Sequence, residues 1–525
     1  MTISIPSGLS NATLAVRNAL ERIPNNEPAS LIFEPGIHDF YLDGCSKYAP
    51  KLSNNNNDER NVAIPIVDRN GLSIEGKGAT LLFHGLITPI FIKGSSSITV
   101  KDITINFAIP LYIDAVVESF DEKHLSLAID RNEYDYKVEG SPAAITFDTA
   151  EGKICSRDIY FNFIRIDERK NKTPDWGVLN AFVFLGDCTN NPAKLPAGRM
   201  FADVEATPTG IKMIYRPECP YRPFKVGEHI FIRDPESSGS PNVIMANSAG
   251  VIFKDVTMLA GPGMGFLGQM CSDITFDHVN IRPAEGKNIS TNADAIHLIQ
   301  CNGKVIVRDC NISHALDDAL NVHGDYFRVE KVLSSDKLLV RAAAAHHSGF
   351  VPYSVGDELI INTPQPLKEK GRAVITAVET NDDETDIVLS FDRDISSFAD
   401  EGDYTENHNH LPELLFERNK IDDIPEIRVA TTKKVVIRDN IFNLCCTDLH
   451  FNDLPGFWWE SSPSRDVEVT NNIFMRPGPN IRFDLARDCV PERCHKKALV
   501  KGNHFADPDN AIIADKLDEL IFENL

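Results

Sequence analysis

The fold is decided by a repeated motif, one copy of which reads Asp273-Ile274-Thr275-Phe276-Asp277-His278-Val279-Asn280-Ile281. A short strand of alternating apolar residues leads to a polar turn and then to a second short strand. The next copy reads Lys304-Val305-Ile306-Val307-Arg308-Asp309-Cys310-Asn311-Ile312. Further copies lie at 72–76, 98–102, 250–258, 414–419, 435–440, 467–472, 499–503 and 520–524. The chain is therefore built from a structural repeat.

The spacing of these copies predicts a parallel β-helix. Equivalent turn positions are 21 to 32 residues apart, except across one large gap: Val256, Val279, Cys310, Asn419, Asn440, Asn472 and Asn503. Strands that recur at this period with no helix between them form coils that bury a core only by stacking. The four asparagines are expected to form an internal ladder, because Asn tolerates the turn and can satisfy buried backbone groups.

Two segments interrupt the repeat, and both have the alternating strands and acidic turns of antiparallel β-structure. They share a strand with an acidic turn, at 115–123 and 329–337, followed by a Val-Gly-acid strand at 226–232 and 355–361. This likeness predicts two related β-barrels. Before the first coil, Ser10-Asn11 can cap a short helix through Arg22 that covers the open end.

The sequence thus predicts an all-β protein, a right-handed parallel β-helix with two inserted antiparallel β-barrel subdomains and a short N-terminal capping helix. The predicted division is 1–107 for the cap and first coils, 108–235 for the first barrel, 236–324 for the central coils with the candidate acids, 325–409 for the second barrel and 410–525 for the C-terminal coils.

Composition excludes some partners. Asp and Glu number 76 against 53 Lys and Arg, so the formal charge is −23. This charge disfavours nucleic acid as a partner and mildly disfavours an anionic polymer such as pectin. No apolar run is long enough for a membrane span, and the eleven cysteines show neither a disulfide framework nor a zinc-site spacing.

The first residues do not resemble a secretory signal. One expectation is that the signal has already been removed and that the protein lies outside the cell or in the periplasm. The alternative is that it stays in the cytoplasm. The oligomeric state is left open, a homodimer included.

Three acids in the central coils form the candidate active site. Asp294 lies in Ala293-Asp294-Ala295-Ile296-His297, and Asp317-Asp318 begin a run that ends at His323-Gly324. The 23 residues from Asp294 to Asp317 equal one coil, the interval from Val256 to Val279. Because parallel coils stack about 4.8 Å apart, the three acids should be neighbours, provided that the pair lies at a strand end or bend.

Clustered carboxylates repel one another, so at least one should hold a proton near neutral pH. That arrangement supplies an acid and a base, as glycoside hydrolysis requires. A divalent-cation site and a solvated acidic turn are the alternatives. Three histidines close by, at His297, His314 and His323, suggest positioning or sugar binding.

The central motifs resemble glycoside hydrolase family 110. The resemblance is carried by Ala293-Asp294-Ala295-Ile296-His297, Cys301-Asn302-Gly303 and Asp317-Asp318-Ala319-Leu320-Asn321-Val322-His323-Gly324, and it continues in segments 33–36, 83–85, 263–269, 346–350, 458–461 and 465–467. Members of the family are exo-acting α-1,3-galactosidases. The resemblance spans nearly the whole chain.

The resemblance implies a β-helix with two barrel insertions, hydrolysis with inversion, and no metal or other cofactor. It implies substrates that end in α-1,3-linked galactose, such as the blood-group B antigen or linear Gal-α-1,3-Gal, on oligosaccharides, glycoproteins or glycolipids. The family's three essential aspartates correspond to Asp294, Asp317 and Asp318. By analogy with polygalacturonases, Asp317 protonates the leaving oxygen, and Asp294 and Asp318 activate the water.

Seven further residues are the candidate substrate-binding set: Gln269, His297, Asn321, His323, Trp458, Trp459 and Glu460. Indole faces can stack on the apolar side of galactose, and a carboxylate can bind paired hydroxyls. The alternative for the two tryptophans is burial at a coil corner.

One segment departs from the family. After Asn419 the family carries an Arg-rich stretch, whereas this chain reads Lys420-Ile421-Asp422-Asp423-Ile424-Pro425-Glu426. We expect this coil to contact the sugar beyond galactose, and we interpret Asp422-Asp423 as a solvated turn. The competing functions are a polygalacturonase-like hydrolase and a β-helix carbohydrate-binding protein without catalysis.

Overall fold

A computed structural model confirms the parallel β-helix and its all-β class. The structure describes residues 1–55, 58–109, 112–140, 143–149, 152–156, 162–166, 201–215, 224–233, 240–364, 367–443, 447–453, 458–485 and 494–523. In that part of the chain no helix is long and apolar enough to cross a membrane.

The N-terminal segment contains the capping helix and the first coils. Its elements are β1 (Thr2–Ile5), α1 (Ala12–Arg22), β2 (Ala29–Phe33), β3 (Ile37–Phe40), β4 (Ser46–Tyr48), β5 (Arg60–Val67), β6 (Leu72–Phe83), β7 (Thr88–Lys93) and β8 (Ser96–Phe107). The side chain of Asn11 accepts a hydrogen bond from the Thr13 amide at 2.9 Å and so caps α1. Val16 and Leu20 are buried beneath the helix, which confirms the predicted cap.

The first insert is antiparallel, as its sequence pattern predicted. Six of its strands pair in the order β14-β17-β9-β10-β16-β15, and three more pair as β11-β12-β13. The strands are β9 (Tyr112–Phe120), β10 (His124–Ile129), β11 (Asp135–Gly140), β12 (Ala143–Thr149), β13 (Gly152–Ser156), β14 (Asn162–Ile166), β15 (Phe201–Ala206), β16 (Gly210–Tyr215) and β17 (His229–Arg233).

The central coils follow the first insert. They comprise β18 (Val243–Ala246), β19 (Ala249–Lys254), β20 (Thr257–Met258), β21 (Phe266–Gln269), β22 (Ser272–Asp277), β23 (Asn280–Ile281), β24 (Ile296–Ile299), β25 (Asn302–Arg308), β26 (Asn311–Ser313) and β27 (Leu320–Asp325).

The second insert is a closed antiparallel barrel with the strand order β28-β29-β32-β31-β30-β33. It has its own apolar core, which includes Phe327, Leu338, Leu359 and Ile387. Its elements are β28 (Phe327–Ser334), β29 (Lys337–Ala342), a 3₁₀ helix (Ala345–His347), β30 (Glu358–Pro364), β31 (Leu367–Thr380), β32 (Ile387–Phe391) and β33 (Tyr404–Asn407).

The C-terminal coils complete the β-helix. They comprise β34 (Glu413–Glu417), β35 (Lys420–Asp422), β36 (Ile427–Val429), β37 (Lys434–Arg438), β38 (Ile441–Asn443), β39 (Leu449–Asp453), β40 (Glu460–Ser461), β41 (Asp466–Thr470), β42 (Ile473–Phe474), β43 (Ile481–Leu485), β44 (His495–Lys501), β45 (His504–Phe505), a 3₁₀ helix (Pro508–Asn510), β46 (Ile512–Ile513) and β47 (Leu517–Glu523).

Three parallel ladders run the length of the β-helix, and each coil contributes strands to them. The first ladder joins β1, β2, β6, β8, β19, β22, β25, β34, β37, β41, β44 and β47. The second joins β3, β6, β8, β20, β23, β26, β35, β38, β42 and β45. The third joins β5, β7, β18, β21, β24, β27, β36, β39, β43 and β46. Connections between parallel strands are almost always right-handed, so the coil turns to the right.

The predicted asparagine ladder is present at the corner between the first and second ladders. Backbone amides of one coil donate to the Asn side-chain oxygen of the next, as from Asn419 to Asn440 at 2.8 Å and from Asn440 to Asn472 at 3.0 Å. The Asn440 amide group also donates to the Phe416 carbonyl at 3.0 Å. The preceding residue adopts a left-handed conformation, with φ of 55° at Arg418 and 59° at Asp439. The ladder thus satisfies a buried corner that the turn would otherwise leave unpaired.

Stacked coils also form the apolar core. Phe442 and Phe474 stack with ring centroids 5.1 Å apart, and Phe474 stacks on Phe505 at 4.8 Å. The stacking continues across the second insert, because β25 pairs with β34 and β27 pairs with β36. The barrel therefore leaves and re-enters the β-helix without changing its register.

Replacing Asn440 by Ala should destabilise the protein by about 3 kcal/mol, because the Asn419 amide and the Phe416 carbonyl would lose their buried partner. Urea unfolding followed by circular dichroism measures this change. Asn510→Ala is the matched control, since Asn510 is exposed and bonds only locally to Asp507. Equal midpoints for both variants would contradict a stabilising role of the ladder.

Candidate active site

The three predicted acids lie together at the start of two neighbouring strands of the third ladder. Asp294 precedes β24, and Asp317 and Asp318 precede β27 in a bend. One carboxylate oxygen from each of the three lies within 4.8 Å of the others. The bend explains how adjacent residues reach one site, as the sequence required.

The stacking register is specific for the second member of the pair. His297 pairs with Asn321, so Asp294 lies above Asp318, and the Ala295 amide donates to the Asp318 carbonyl at 2.8 Å. Asp294 and Asp318 are buried, whereas Asp317 is exposed. The cluster therefore has two carboxyl groups inside the wall of the β-helix and one that faces outward.

Burial shapes the protonation of the inner pair. Desolvation, reinforced by Glu460, raises the pKa of Asp294 to about 7, although Arg428 and His323 oppose the shift. Burial also raises the pKa of Asp318 well above its ordinary value, against the lowering effect of Arg428. Because each carboxylate disfavours ionisation of the other, the pair shares a proton near neutral pH. One carboxyl group of this buried pair is thus ionised while the other holds the proton.

Two buried histidines follow Asp294 along the third ladder. His297 contacts the Asp294 carboxylate through Nδ1, and its Nε2 lies 3.0 Å from Nε2 of His323. Nδ1 of His323 donates to the Gly324 carbonyl at 2.7 Å. All four ring nitrogens therefore have protein partners, which supports an indirect role for these histidines in place of the predicted sugar contact.

The two rings have opposite electrostatic environments. Desolvation, together with the charge of His323, lowers the pKa of His297 to about 3. Burial also disfavours charge on His323, but Glu460 and Asp325 outweigh it and raise the pKa of His323 to about 9. At neutral pH His323 is therefore a cation and His297 is neutral.

Glu460 reaches the site because β40 pairs antiparallel with the end of β27, opposite Gly324 and Asp325. A Cβ atom at Gly324 would lie 2.6 Å from the Ser461 hydroxyl, so any larger residue would force that side chain to move. Glu460 is buried, with Oε1 accepting from Asn54 at 2.9 Å and lying 3.6 Å from His323. The predicted binding residue is thus part of the wall around the histidines.

Gln269 holds the loop that carries Asn54. Its side-chain oxygen accepts from the Ser53 amide at 2.7 Å, and its amide group donates to the Lys51 carbonyl at 3.0 Å. The same loop contacts the second barrel, where the Ser53 hydroxyl bonds His347. The structure therefore uses Gln269 to position this loop at the edge of the site.

The two tryptophans have different surroundings. Trp458 is 39% exposed, and its carbonyl accepts from His346 at 3.2 Å and also from His347. The Trp459 ring packs on Tyr404 of the second barrel, with centroids 4.6 Å apart. Trp458 is thus partly exposed with its ring edge-to-face on His346, at a centroid distance of 5.6 Å, whereas Trp459 joins the coil to the barrel.

An ion-pair chain begins at Asp318 and runs along the third ladder. Arg428 lies 3.3 Å from Asp318 and also binds Glu426. His450 bridges Glu426 at 3.0 Å and Asp484 at 2.7 Å. Burial raises the pKa of Glu426, but the positive charges of Arg428 and His450 outweigh it and lower that pKa to about 2. The departing segment after Asn419 therefore reaches the acids through Glu426 and Arg428.

The solvated turn predicted at Asp422-Asp423 is wrong. Asp423 has a φ of 49° and so does occupy a turn, but its carboxylate is largely buried and pairs with Arg476 at 2.9 Å. Asp422 bonds Asn443 on the next coil. The following coil stacks against this turn and provides Arg476 and Asn443 as partners. The side chains of Asp422 and Asp423 are therefore directed to these partners instead of to solvent.

Sequence reasoning missed Arg428, Asn54 and Asp325. Arg428 pairs in register with Asn321, but the second barrel lies between them in sequence and hides this relation. Asn54 lies in an irregular loop with no pattern to mark it. Asp325 is the last residue of β27 and lies 3.4 Å from His323; the alternation from Asn321 and His323 could have indicated it.

Among the residues that the structure describes, three groups of side chains have the spacing to hold a metal ion: Asp294 with Asp317 and Asp318, His297 with His323 and Glu460, and Asp277 with His278 and Asp309. The first two lie in the site. The spacing of the three aspartates is thus compatible with the cation-site alternative, and chelation tests it.

No family model matches the chain, but named relatives cover nearly all of it. It is 23% identical over 503 residues to alpha-1,3-galactosidase A of Shewanella woodyi, covering 94% of this chain and 78% of that protein. It is 24% identical to alpha-1,3-galactosidase B of Phocaeicola vulgatus, covering 99% and 88%. It is 26% identical to alpha-1,3-galactosidase B of Bacteroides fragilis, covering 98% and 88%.

Solved structures align with this chain only at low TM-scores. A polygalacturonase from Erwinia carotovora covers the whole chain and 92% of its own with a TM-score of 0.35 at 9% identity. An exopolygalacturonase from Thermotoga maritima has the same score and coverage at 6% identity. The fold assignment rests on the strand pairing described above.

In fold, acid cluster and relatives, the chain is similar to β-helix glycoside hydrolases of the galactosidase type. More particularly, the chain is homologous over almost its full length to proteins named alpha-1,3-galactosidase. The resemblance to glycoside hydrolase family 110 is confirmed.

Because the two tryptophans have different surroundings, replacing each by alanine should have a different effect. Trp459→Ala should lower the free energy of unfolding by about 2 kcal/mol, because it removes the packing on Tyr404. Trp458→Ala should change stability by less than about 0.5 kcal/mol and should weaken galactoside binding. Thermal unfolding and titration calorimetry measure the two effects, and the reverse pattern would assign the ligand contact to Trp459.

Proposed function

We propose that the protein hydrolyses terminal α-1,3-linked galactose from oligosaccharides or glycoconjugates, with Asp294, Asp317 and Asp318 as its acid and base groups. The single observation that carries the proposal is the convergence of these carboxylates within 4.8 Å. The names of the relatives support the linkage.

The exposure of the acids supports a division of roles. Asp317 faces outward, where a leaving sugar would lie, and donates its proton to the glycosidic oxygen as the C1–O bond breaks. Asp294 and Asp318 are buried beside each other, and the ionised member of this pair takes a proton from the water that attacks C1. Atoms and charge balance: the aglycone leaves with the proton of Asp317, and the water proton stays on the base.

The departing coil lies beside the predicted base. Glu426 and Arg428 connect that coil to Asp318, so the positive charge of Arg428 acts on the buried pair Asp294 and Asp318. Contact of this coil with the sugar beyond galactose stays a prediction from the sequence.

Stereochemistry follows from the separation of acid and base. Inverting enzymes usually hold the two carboxyl groups about 6.5–9.5 Å apart, and retaining enzymes about 5–5.5 Å apart. The 4.8 Å limit joins single oxygens of the three carboxyl groups, a different quantity from the separation to which this rule applies, and the family resemblance favours inversion. We propose inversion, because the site offers two carboxylates to hold one water and needs neither as a nucleophile.

Proton NMR of a fresh digest should show galactose released first as the β-anomer. The substrates are Gal-α-1,3-Gal and the blood-group B trisaccharide, with α-1,4- and α-1,6-galactosides as controls for linkage. An initial α-anomer would overturn inversion. Absence of galactose from all four substrates would favour a polygalacturonase-like or non-catalytic function.

Asp294→Asn, Asp317→Asn and Asp318→Asn should each reduce kcat at least about 100-fold, because each removes an acid or base group. Asp317→Asn alters an exposed side chain and should change the free energy of unfolding little, whereas Asp294→Asn alters the carboxylate that contacts His297 and Asp318→Asn loses its ion pair with Arg428. Asp466→Asn, an exposed aspartate at the start of β41, is the control and should stay active.

Wild-type activity should survive EDTA, as the family resemblance implies. Loss of activity with EDTA, restored by a divalent cation, would assign the three aspartates to a metal site. Full activity of all three Asn variants would overturn the catalytic assignment itself.

A further inference from the structure

The buried pair His297–His323 has a hydrogen-bond geometry that fixes where its protons can lie. The Gly324 carbonyl only accepts, so Nδ1 of His323 carries a proton. The Nε2 atoms of the two rings are 3.0 Å apart, and one proton must lie between them. Nδ1 of His297 faces the Asp294 carboxylate.

Two arrangements of the same protons satisfy these contacts. In the first, His323 is a cation that donates to neutral His297, and Nδ1–H of His297 donates to ionised Asp294. In the second, protonated Asp294 donates to Nδ1 of His297, which donates through Nε2 to neutral His323. One proton shift along each hydrogen bond interconverts them, and no atom is gained or lost.

The charges around His323 favour the first arrangement. Glu460 Oε1 lies 3.6 Å from its Nε2, and Asp325 Oδ1 lies 3.4 Å from its Nδ1. His323 is 0% exposed, so these carboxylates act on it with little screening by water. Its positive charge is therefore held on the far side of His297 from Asp294.

We propose that His323 is a positioning residue that acts through His297 to keep Asp294 ionised as a base of the reaction. This inference rests on the proposed function. It assigns the two histidines to the protonation of the acid cluster, and it explains why neither ring presents a free nitrogen to a sugar.

Other charged groups also face this chain. In the described part of the molecule they are Asp317, Asp318 and Arg428 beside Asp294, Glu460 and Asp325 beside His323, and His347, which lies 3.3 Å from Asp325. Glu460 and the other aspartates oppose ionisation of Asp294, and Arg428 assists it. His323 supplies the second positive charge that balances them.

The ionisation of Asp294 determines the direction of the predicted pH effect. A base works only when it is ionised, so activity falls as the pH drops below its pKa. Loss of the His323 cation raises the pKa of Asp294, and the acidic limb of kcat/KM moves to higher pH.

His323→Gln should move this limb upward by about one pH unit, since it removes a buried positive charge that lowers the pKa of Asp294 from across the His297 ring. Activity near the limb should fall about tenfold and recover at higher pH, with KM little changed. A sugar-contact role would instead raise KM, and a purely structural role would lower activity equally at every pH. Either of those outcomes overturns the proposal.

The control is His278→Gln, which removes an exposed histidine that also contacts an aspartate, Asp277, on the first ladder. Its pH profile should match that of the wild type. If wild-type protein releases no galactose, the proposed function fails. If the wild type is active and the limb of His323→Gln is unmoved, only this inference fails.

NMR of protein labelled at histidine Cε1 measures the pH at which His323 titrates. This measurement requires neither activity nor a variant that is stable at every pH. In the wild type, one resonance that is absent from His323→Gln should remain that of a cation up to about pH 8. Should His323→Gln fail to fold, Asp325→Asn serves in its place and should lower the pH at which that resonance titrates. Titration of His323 at or below its ordinary pKa would overturn the proposal.

Discussion

The coil-to-coil hydrogen bond is the interaction on which the rest of the structure depends. Each parallel coil leaves backbone groups at its corners, and the asparagine ladder pairs them with the next coil, as Asn419 does with Asn440. In the coils from Cys310 to Asn503 this pairing holds the corner between the first and second ladders. In the third ladder the backbone pairing itself places Asp294 above Asp318 and leads from His297 through Asn321 to Arg428.

The chemistry of the site is a consequence of that stacking. A single coil would expose one or two carboxyl groups to water, where they would ionise independently. Stacking two coils buries Asp294 against Asp318 and makes their protonation interdependent. The next coil adds Arg428, and the returning strand β40 adds Glu460. Each neighbouring strand thus contributes one charged group that affects the protonation of Asp294 and Asp318.

Sequence predicted the coils well because their first two strands and corner repeat in nearly constant form. The asparagine ladder, the cap helix, the inserted barrel and the cluster of acids were all predictable from such local patterns. The interval from Asp294 to Asp317 indicated the right coil, but the register pairs Asp294 with Asp318 instead. Corner lengths differ between coils, so counting residues locates a neighbour only to within one position.

The remaining parts of the site depend on contacts that no local pattern records. Strands of the third ladder are short and variable, so Arg428 could not be aligned with Asn321 across the inserted barrel. The loop at Asn54 reaches the site because Gln269 and His347 hold it. The buried pairing of Asp423 with Arg476 likewise depends on a coil that comes later in the chain.

The continuity of register across the second barrel also constrains how the chain folds. Val305 of β25 pairs with Leu414 of β34, so the two coils must close a long loop before they can gain any contact. An unfolded loop of that length carries a high entropic cost at closure. The barrel has a separate core, and once it has folded its ends are held near each other. A barrel that folds first would therefore shorten the loop that these two coils must close.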